Sequence, residues 1–566
     1  MRKRLNLGNS DFKSMILDDN YYVDKSLFIK EIIDSEHSVL LIPRPRRFGK
    51  TLNLSMLRYY FDITEPENEK LFTHLKIWQC DNEIKAKRGK YPVIFLSFKD
   101  AKGQNWDETY NSIVLQISKL YSQNDYLLKS KTLSDSEKEF FESILSKKGS
   151  KTDFSHSIKE LSDFLYKYFQ QKVVILLDEY DTPIHAGYKK YYEEIVSFMR
   201  TLMSGAFKDN IYLQKGVITG ILRVSKESIF SGLNNIGVFS ILDDSFSDCF
   251  GFTEFEVKQI VADFEVATDE NEIKKWYNGY QFGNTSGIFN PWSILNFAYK
   301  SRSGFRTFWV NTSADNLIKD IVSSSKSNEL LDIIEKLINF ETVEKDIEEN
   351  FIFPKLETHK ELIWTLLIHS GYLTTVNKIA RKTYEIKIPN YEILTVFQDT
   401  IVDWFDSDIN VHRDLLSSTA KYLVTNEIEK FEKGFRKIIG DTFSYYDTNG
   451  TPEKVYQAYL LGLLAIIGDD YIIKSNRESG DGRYDIMLIP HDKTKNGIVM
   501  ELKQIEKRDS ETEMDLNERI QAKLKDALNQ IDKNEYYKEL IDNKIERIIK
   551  LPIVFAGKVP YVVIKS

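Results

Sequence analysis

Four short, almost wholly apolar runs punctuate the first 220 residues, and they limit the fold more than any other feature. They are Ser38–Pro43 (SVLLIP), Pro92–Phe98 (PVIFLSF), Val173–Glu179 (VVILLDE) and Gly216–Gly220 (GVITG). None shows the apolar–polar alternation of a half-exposed strand, so each reads as a strand buried on both faces. The segments between them are long enough for helical crossovers. This order predicts an α/β fold, a doubly wound sheet of parallel strands.

The first run leads into Arg44-Pro-Arg-Arg-Phe-Gly-Lys-Thr51 and then into a helix-like stretch, LNLSMLRYYF. Gly49-Lys50-Thr51 is the ending of a phosphate-binding P-loop. A strand–loop–helix turn aims backbone N–H groups at a phosphate from a helix N-terminus. Lys50 would neutralise charge on the outer phosphates of ATP, and the Thr51 hydroxyl would hold Mg2+. Arg44 stands where the pattern has its first glycine, and Pro45, Arg46, Arg47 and Phe48 fill the loop.

The third run ends in Asp178-Glu179. A buried strand would deliver Asp178 to the Mg2+ shell, with Glu179 placed to polarise the attacking water. An apolar run ending in Asp-Glu is common by itself and gains its weight from the loop upstream. Thr219, at the end of the fourth run, is placed like the polar sensor of additional-strand ATPases. Arg223 follows it, either as a γ-phosphate contact or as an ordinary loop arginine.

Composition narrows the class. A chain of 566 residues implies roughly three to five domains. With 42% hydrophobic and 29% charged residues, 12 prolines and 26 glycines, it reads as globular rather than disordered. The two cysteines, Cys80 and Cys249, form no CxxC pair, and the eight histidines show no HxxxH or HxH spacing, so zinc chemistry has little support. No GxSxG is present. With no apolar leader and no window of 18 apolar residues, the chain is expected to be cytoplasmic and free of membrane spans. A net charge of −8 does not advertise nucleic-acid binding, though a basic patch can sit on an acidic chain.

From about residue 256 strand runs become rare and amphipathic helical stretches such as Asn328–Asn339 dominate. Residues 361–390 read as a helix and a short hairpin, the pattern of a winged-helix module, and residues 411–440 as helical. A helix from 452 precedes two strands, Arg483–Pro490 and Gly497–Lys503. A charged helix follows at about 511–533, then strands Leu551–Ala556 and Tyr561–Ile564.

That last third holds Gly482-Arg-Tyr-Asp485 and Glu501-Leu-Lys503. Glu501 and Lys503, two apart on a strand, face the same side, and a hairpin would bring Asp485 to them. Two carboxylates bind Mg2+ through oxygen, and a nearby lysine orients the nucleophile and steadies the developing phosphorane charge. This is the D…ExK arrangement of metal-dependent DNA cleavage, although a Glu-x-Lys pair is often only a solvated strand face. Glu453 on the preceding helix would add a carboxylate, Glu478 precedes the first strand, and Gln530 on the following helix would reach the metal or a phosphate. Trp276-Tyr-Asn-Gly-Tyr280 and Asn290-Pro-Trp-Ser293 read as local aromatic packing in a helical lid.

Taken together, the chain resembles the bacterial family with an N-terminal AAA-ATPase-like domain and a C-terminal PD-(D/E)XK nuclease-superfamily domain. The resemblance covers nearly the whole chain. It is carried by Tyr21-Tyr-Val-Asp-Lys25, Arg44–Thr51, Leu176-Leu-Asp-Glu-Tyr-Asp181, Thr219-Gly-Ile-Leu-Arg223, the two aromatic clusters and Ser370-Gly-Tyr-Leu373. At the C-terminus it is carried by Gly482–Asp485, Glu501–Lys503 and Ala527-Leu-Asn-Gln-Ile531.

The resemblance implies that R-P-R-R-F-G-K-T is the family's own form of the phosphate loop and that Glu453 is the family's helix glutamate. It implies a P-loop domain over 1–255, a helical lid over 256–345, a winged-helix-like middle over 346–440 and a restriction-endonuclease-like domain over 441–566. ATP and Mg2+ are the expected cofactors and DNA the expected partner. AAA-like proteins often form rings, which makes a homo-oligomer an expectation without a subunit count. Two other readings stay open: a STAND-type nucleotide switch with an inert nuclease fold, and a DNA-binding protein without catalysis.

Overall fold

The computed structural model describes residues 3–208, 210–223, 229–230, 236–309, 333–334, 336–349, 353–357, 359, 361–408, 411–446, 462, 466–468, 470–475, 478–479, 482–483, 485–505, 508, 511–557 and 559–562. The chain divides into two compact units: Met1–Trp309 with Glu344–Glu392, and Val310–Val343 with Ile393–Ser566.

The first unit is built on β1 (Val39–Pro43), β2 (Val93–Ser97), β3 (Val173–Asp178), β4 (Leu213–Gly220) and β5 (Ile236–Val238). They form one sheet in the order β2-β3-β4-β1-β5, with every pairing parallel. Strand β4 thus lies between the strand that ends in Asp178 and the strand that feeds the phosphate loop, which is the additional-strand arrangement. Every residue of β1 and β3 is buried, as strands covered by helices on both faces require. Edge strand β2 alternates buried with half-buried positions. Strand β5 has only three residues and carries no apolar run long enough to read as a strand. The helix Tyr192–Phe207 packs tightly on the sheet: a Cβ on Gly216 would stand 2.6 Å from Phe207 Cε1.

Beyond the sheet lie a hairpin of β6 (Tyr280–Phe282) and β7 (Thr285–Ile288) and a helix, Pro291–Lys300. Trp276 and Phe305 pack on a core of Tyr277, Phe289, Phe297 and neighbours, which gives Trp276–Tyr280 a packing role. The helix Leu362–Ser370 is followed by a hairpin, and the small sheet runs β8 (Val343–Asp346), β10 (Thr383–Lys387), β9 (Thr374–Lys378). Helix and hairpin belong to the first unit. Of the stretch 328–339, residues 333–334 and 336–339 are described, and most of the helix expected from 452 lies outside the described residues.

The second unit carries the helices Arg413–Val424 and Ile428–Tyr446 and a sheet of β11 (Tyr471–Ser475), β14 (Ile486–Pro490), β15 (Gly497–Ile505), β16 (Ile548–Ala556) and β17 (Val559–Tyr561), in that order. Two-residue strands β12 (Glu478–Ser479) and β13 (Gly482–Arg483) pair with each other. Strands β14 and β15 are antiparallel, whereas β15 and β16 are parallel over nine positions. The parallel pair needs a crossover, supplied by the helix Glu513–Lys533. A capping box of Thr512 and Asp515 starts that helix. Its charged positions face outward, while Ile520, Leu524, Ala527 and Ile531 recur at intervals of three and four and are buried. Among the described residues no helix is long and apolar enough to cross a membrane.

Candidate functional site

The phosphate-type loop folds around its own lysine. Lys50 is buried, and its ammonium donates to the carbonyls of Arg44 and Pro45, each at 3.0 Å. Burial lowers its pKa, opposed by Glu179, Asp178 and Asp181. Gly49 opens the helix Lys50–Phe61 at φ +87, a conformation open to glycine and strained for other residues. No side chain caps that helix. Arg47 and Glu179 also hold positive φ, at 68° and 52°. Each costs on the order of 1 kcal/mol, and such strain collects at functional sites.

Asp178 is fully buried at the end of β3. Its Oδ2 accepts from the Thr51 hydroxyl at 2.8 Å and from Ser97 at 3.3 Å, and its Oδ1 accepts from Thr219 at 2.7 Å. Burial raises its pKa, Glu179 adds to the rise, and the bonds from Thr219 and Thr51 oppose it. Three strands and the first helical turn after the loop therefore meet at one carboxylate. Ser97 belongs to no motif; its only signal is a hydroxyl at the end of a buried run.

Arg44, in the glycine position of the pattern, is wholly buried. Its Nη1 donates to the carbonyls of Pro43 and Phe239, each at 2.8 Å, and its Nη2 to Phe246 at 3.0 Å. The guanidinium also lies over the rings of Phe250 and Phe282. Burial lowers its pKa to about 10. Arg44 is thus a brace that ties the loop's first residue to the segment after β5. Phe48 is buried edge-on to Tyr280, so its ring also anchors the loop.

Asp181 Oδ2 accepts the backbone N–H groups of Ile221 and Leu222 at 2.8 and 2.9 Å, and the Tyr180 hydroxyl donates to Leu222 O at 2.8 Å. These bonds fix the turn that leads to Arg223, whose guanidinium stands 3.8 Å from the Glu349 carboxylate. The Arg46 carbonyl accepts from Asn290 Nδ2 at 3.4 Å and from Trp309 Nε1 at 3.3 Å, and Arg47 stacks 4.1 Å above the Trp292 ring. Asn290-Pro-Trp-Ser293 therefore abuts the loop as well as packing locally.

In the second unit the hairpin register pairs Ile486 with Met500, which sets Asp485 beside Glu501. Asp485 Oδ2 accepts the Leu502 N–H at 2.6 Å. Glu501 is buried, and Lys503 Nζ donates to its Oε1 at 2.8 Å. Glu501 Oε2 is buried with no hydrogen-bond partner. Burial raises the Glu501 pKa, Lys503 opposes the rise and Asp485 adds to it. A buried carboxylate oxygen without a donor, beside a second carboxylate, is costly unless a cation completes it. The donor set is all oxygen and fits a hard divalent ion such as Mg2+.

Gln530 donates to the Tyr536 hydroxyl at 3.0 Å, an oxygen that also accepts from Asn534. The backbone of Glu478 lies in β12, and Glu453 lies outside the described residues.

Two family models match the chain. Residues 6–230 match the model described as a predicted AAA-ATPase, and residues 451–563 match the PD-(D/E)XK nuclease superfamily. Over 407 residues the chain is also 26% identical to a protein of Azotobacter chroococcum mcd 1 described as "Uncharacterized protein in vnfD 5'region". That match covers 71% of this chain and 70% of the other.

Proposed function

For a chain that joins an AAA-ATPase-like domain to a PD-(D/E)XK nuclease-superfamily domain, we propose an ATP-binding, ATP-hydrolysing protein whose second unit cleaves DNA in a Mg2+-dependent reaction. The observation that carries the nuclease reading is Glu501. One of its oxygens is paired with Lys503, the other is buried and unpaired, and Asp485 is its neighbour.

At the first site Lys50 and the backbone amides after Gly49 take the phosphates, with Arg46 and Arg47 adding positive charge. Thr51 and Asp178 hold the Mg2+ of the nucleotide. Glu179 accepts the proton of the attacking water, and Thr219 keeps Asp178 in position. Arg223, once released from Glu349, reaches the γ-phosphate.

At the second site Asp485 and Glu501 hold Mg2+, which when bound supplies Lewis-acid polarisation of the scissile phosphate. Lys503 orients the attacking hydroxide and places a positive charge where the phosphorane becomes most negative. As the resemblance implies, Glu453 would add a carboxylate to this set, and Gln530 would reach the metal or a phosphate.

The test is incubation of plasmid and linear DNA with the full chain, with and without Mg2+ and ATP, beside Glu501→Ala. Mg2+-dependent cutting that disappears in the variant supports the nuclease and shows whether ATP gates it. No cutting under any condition removes the nuclease claim and leaves a nucleotide switch with an inert nuclease fold. Salt-sensitive DNA retention without products would instead favour a DNA-binding role.

A further inference from the structure

Asn290-Pro-Trp-Ser293 takes no part in either chemistry, yet it touches the phosphate loop twice. Asn290 donates to the Arg46 carbonyl at 3.4 Å, and Trp292 lies under the Arg47 guanidinium. Trp309 reaches the same carbonyl through its indole N–H at 3.3 Å. The two carbonyls before it, of Arg44 and Pro45, accept from Lys50 within the loop. The Arg46 carbonyl is taken instead by donors from outside. The Phe48 carbonyl is likewise taken from outside, by the Gly251 N–H at 3.3 Å.

Both donors to Arg46 are fixed in place. Asn290 Oδ1 accepts the N–H groups of Trp292 and Ser293 and so caps the helix Pro291–Lys300. Glu392, 1% exposed, accepts the backbone N–H groups of Phe308 and Trp309 at 2.6 and 2.9 Å on one oxygen. Its other oxygen accepts the Ser293 hydroxyl at 2.6 Å. Every member of this network belongs to the first unit. Such a buried polar network holds one arrangement because losing any member strands the others.

What the network holds is the orientation of one peptide. The peptide between Arg46 and Arg47 is trans, and a planar trans peptide points its C=O and its N–H in opposite directions. With the Arg46 oxygen drawn outward, the Arg47 N–H faces into the loop. The next peptide but one follows the same rule, so the Gly49 N–H faces inward as well. Arg47 and Gly49 hold positive φ, at 68° and 87°, and left-handed residues in a turn gather successive N–H groups into an anion-binding concavity. The reverse orientation would aim a carbonyl oxygen at phosphate charge. Pro45 has no N–H, so each remaining amide of the loop weighs more.

We propose that Asn290 and Trp309 are positioning residues for the phosphate loop: by holding the Arg46 carbonyl outward they aim the Arg47 backbone N–H at a phosphate of the bound nucleotide. Glu392 secures Trp309 for that task. Arg47 then contributes a backbone donor beyond the charge of its side chain, which Trp292 keeps in place. The proposal rests on the nucleotide-binding reading above.

The test is a mant-ATP titration of the full chain, beside amide spectra of protein carrying isotope-labelled arginine, with and without ATP and Mg2+. Arg47→Lys identifies the Arg47 signal by its loss. In the native protein ATP should move that amide proton downfield, as a bond to a phosphate oxygen does. Asn290→Ser keeps a capping oxygen but is too short to reach the Arg46 carbonyl, and Trp309→Phe keeps a ring without its donor. The double variant should lose the downfield shift and bind mant-ATP about tenfold or more weakly. Each single variant should show a smaller shift than the native chain, which decides the matter if the double variant does not fold. A full shift or native affinity in a folded double variant overturns the proposal, as does a full shift in both single variants. A merely structural role would lower the melting temperature and leave the Arg47 amide as it is in the native complex. A native protein that binds mant-ATP without moving that amide overturns the proposal equally. A native protein that binds no mant-ATP overturns the nucleotide reading and the proposal with it.

Discussion

The Thr51 hydroxyl donates to the Asp178 carboxylate across 2.8 Å although 127 residues separate them in the chain. The contact exists because β4 inserts between β1 and β3 and brings Thr219 to the other oxygen of the same carboxylate. Thr51, Asp178 and Thr219 then share one hydrogen-bonded centre. Lys50 sits beside it, buried and within the field of Asp178 and Glu179.

Lys50→Ala should abolish ATP binding, measured by mant-ATP fluorescence on the purified full chain. The variant also loses two bonds to loop carbonyls, each worth about 1 kcal/mol. A melting curve must therefore accompany the titration. Undiminished binding in a folded variant would remove the phosphate-loop assignment.

Arg44→Gly would restore the glycine of the common pattern, and it should harm the protein. The change leaves the carbonyls of Pro43, Phe239 and Phe246 without their buried donor and opens a cavity beside Phe250 and Phe282. The expected loss of stability is on the order of 3 kcal/mol or more, read from chemical denaturation. A variant as stable as the native chain would show that the brace is dispensable.

Glu501→Ala and Lys503→Ala should each eliminate Mg2+-dependent cleavage while leaving the circular dichroism spectrum unchanged. Glu501→Gln separates charge from shape. Native protein should melt at a higher temperature with Mg2+ than with a chelator, by mass action on the folded state, and Glu501→Gln should lose that increment. If cleavage survives both alanine changes, another site or a contaminant is responsible.

Glu392 gives a pH dependence with a definite sign. Burial raises its carboxyl to about 7 from an ordinary 4.5, against the opposing bonds from Ser293, Phe308 and Trp309. The folded state therefore holds the proton more tightly than the unfolded state. Its contribution is fully present below about pH 4.5 and is lost as pH rises to about 7, a change on the order of 3 kcal/mol. Glu392→Gln does not ionise, so it should lose less stability than the native chain between about pH 5 and about pH 8. Equal losses in the two proteins would show that other groups carry the pH dependence.

Much of the architecture was legible in the residues themselves. Runs such as VLLIP and VVILLD are wholly apolar because helices cover both faces of their sheet, and that pattern survives in one dimension. The pair Glu501 and Lys503 was equally legible, because a strand repeats its faces every second residue. Strand β5 and the hairpin β6–β7 left no such trace, being too short for a period to show. The bond from Gln530 to Tyr536 likewise appears only in the fold.

What the sequence by itself determined is therefore the local chemistry: which long apolar runs are strands, and which short stretches carry a lysine, a hydroxyl or paired acids. What only the tertiary structure decided is which distant groups share a proton or a charge. Arg44 became a buried brace because carbonyls of residues 239 and 246 converge on it. Glu392 became the knot of a network because Ser293, 99 residues away, and the amides of Phe308 and Trp309 fold onto it. Local pattern reports burial, since burial acts on each residue separately. A hydrogen bond needs two groups within about 3 Å, and the fold alone sets that distance.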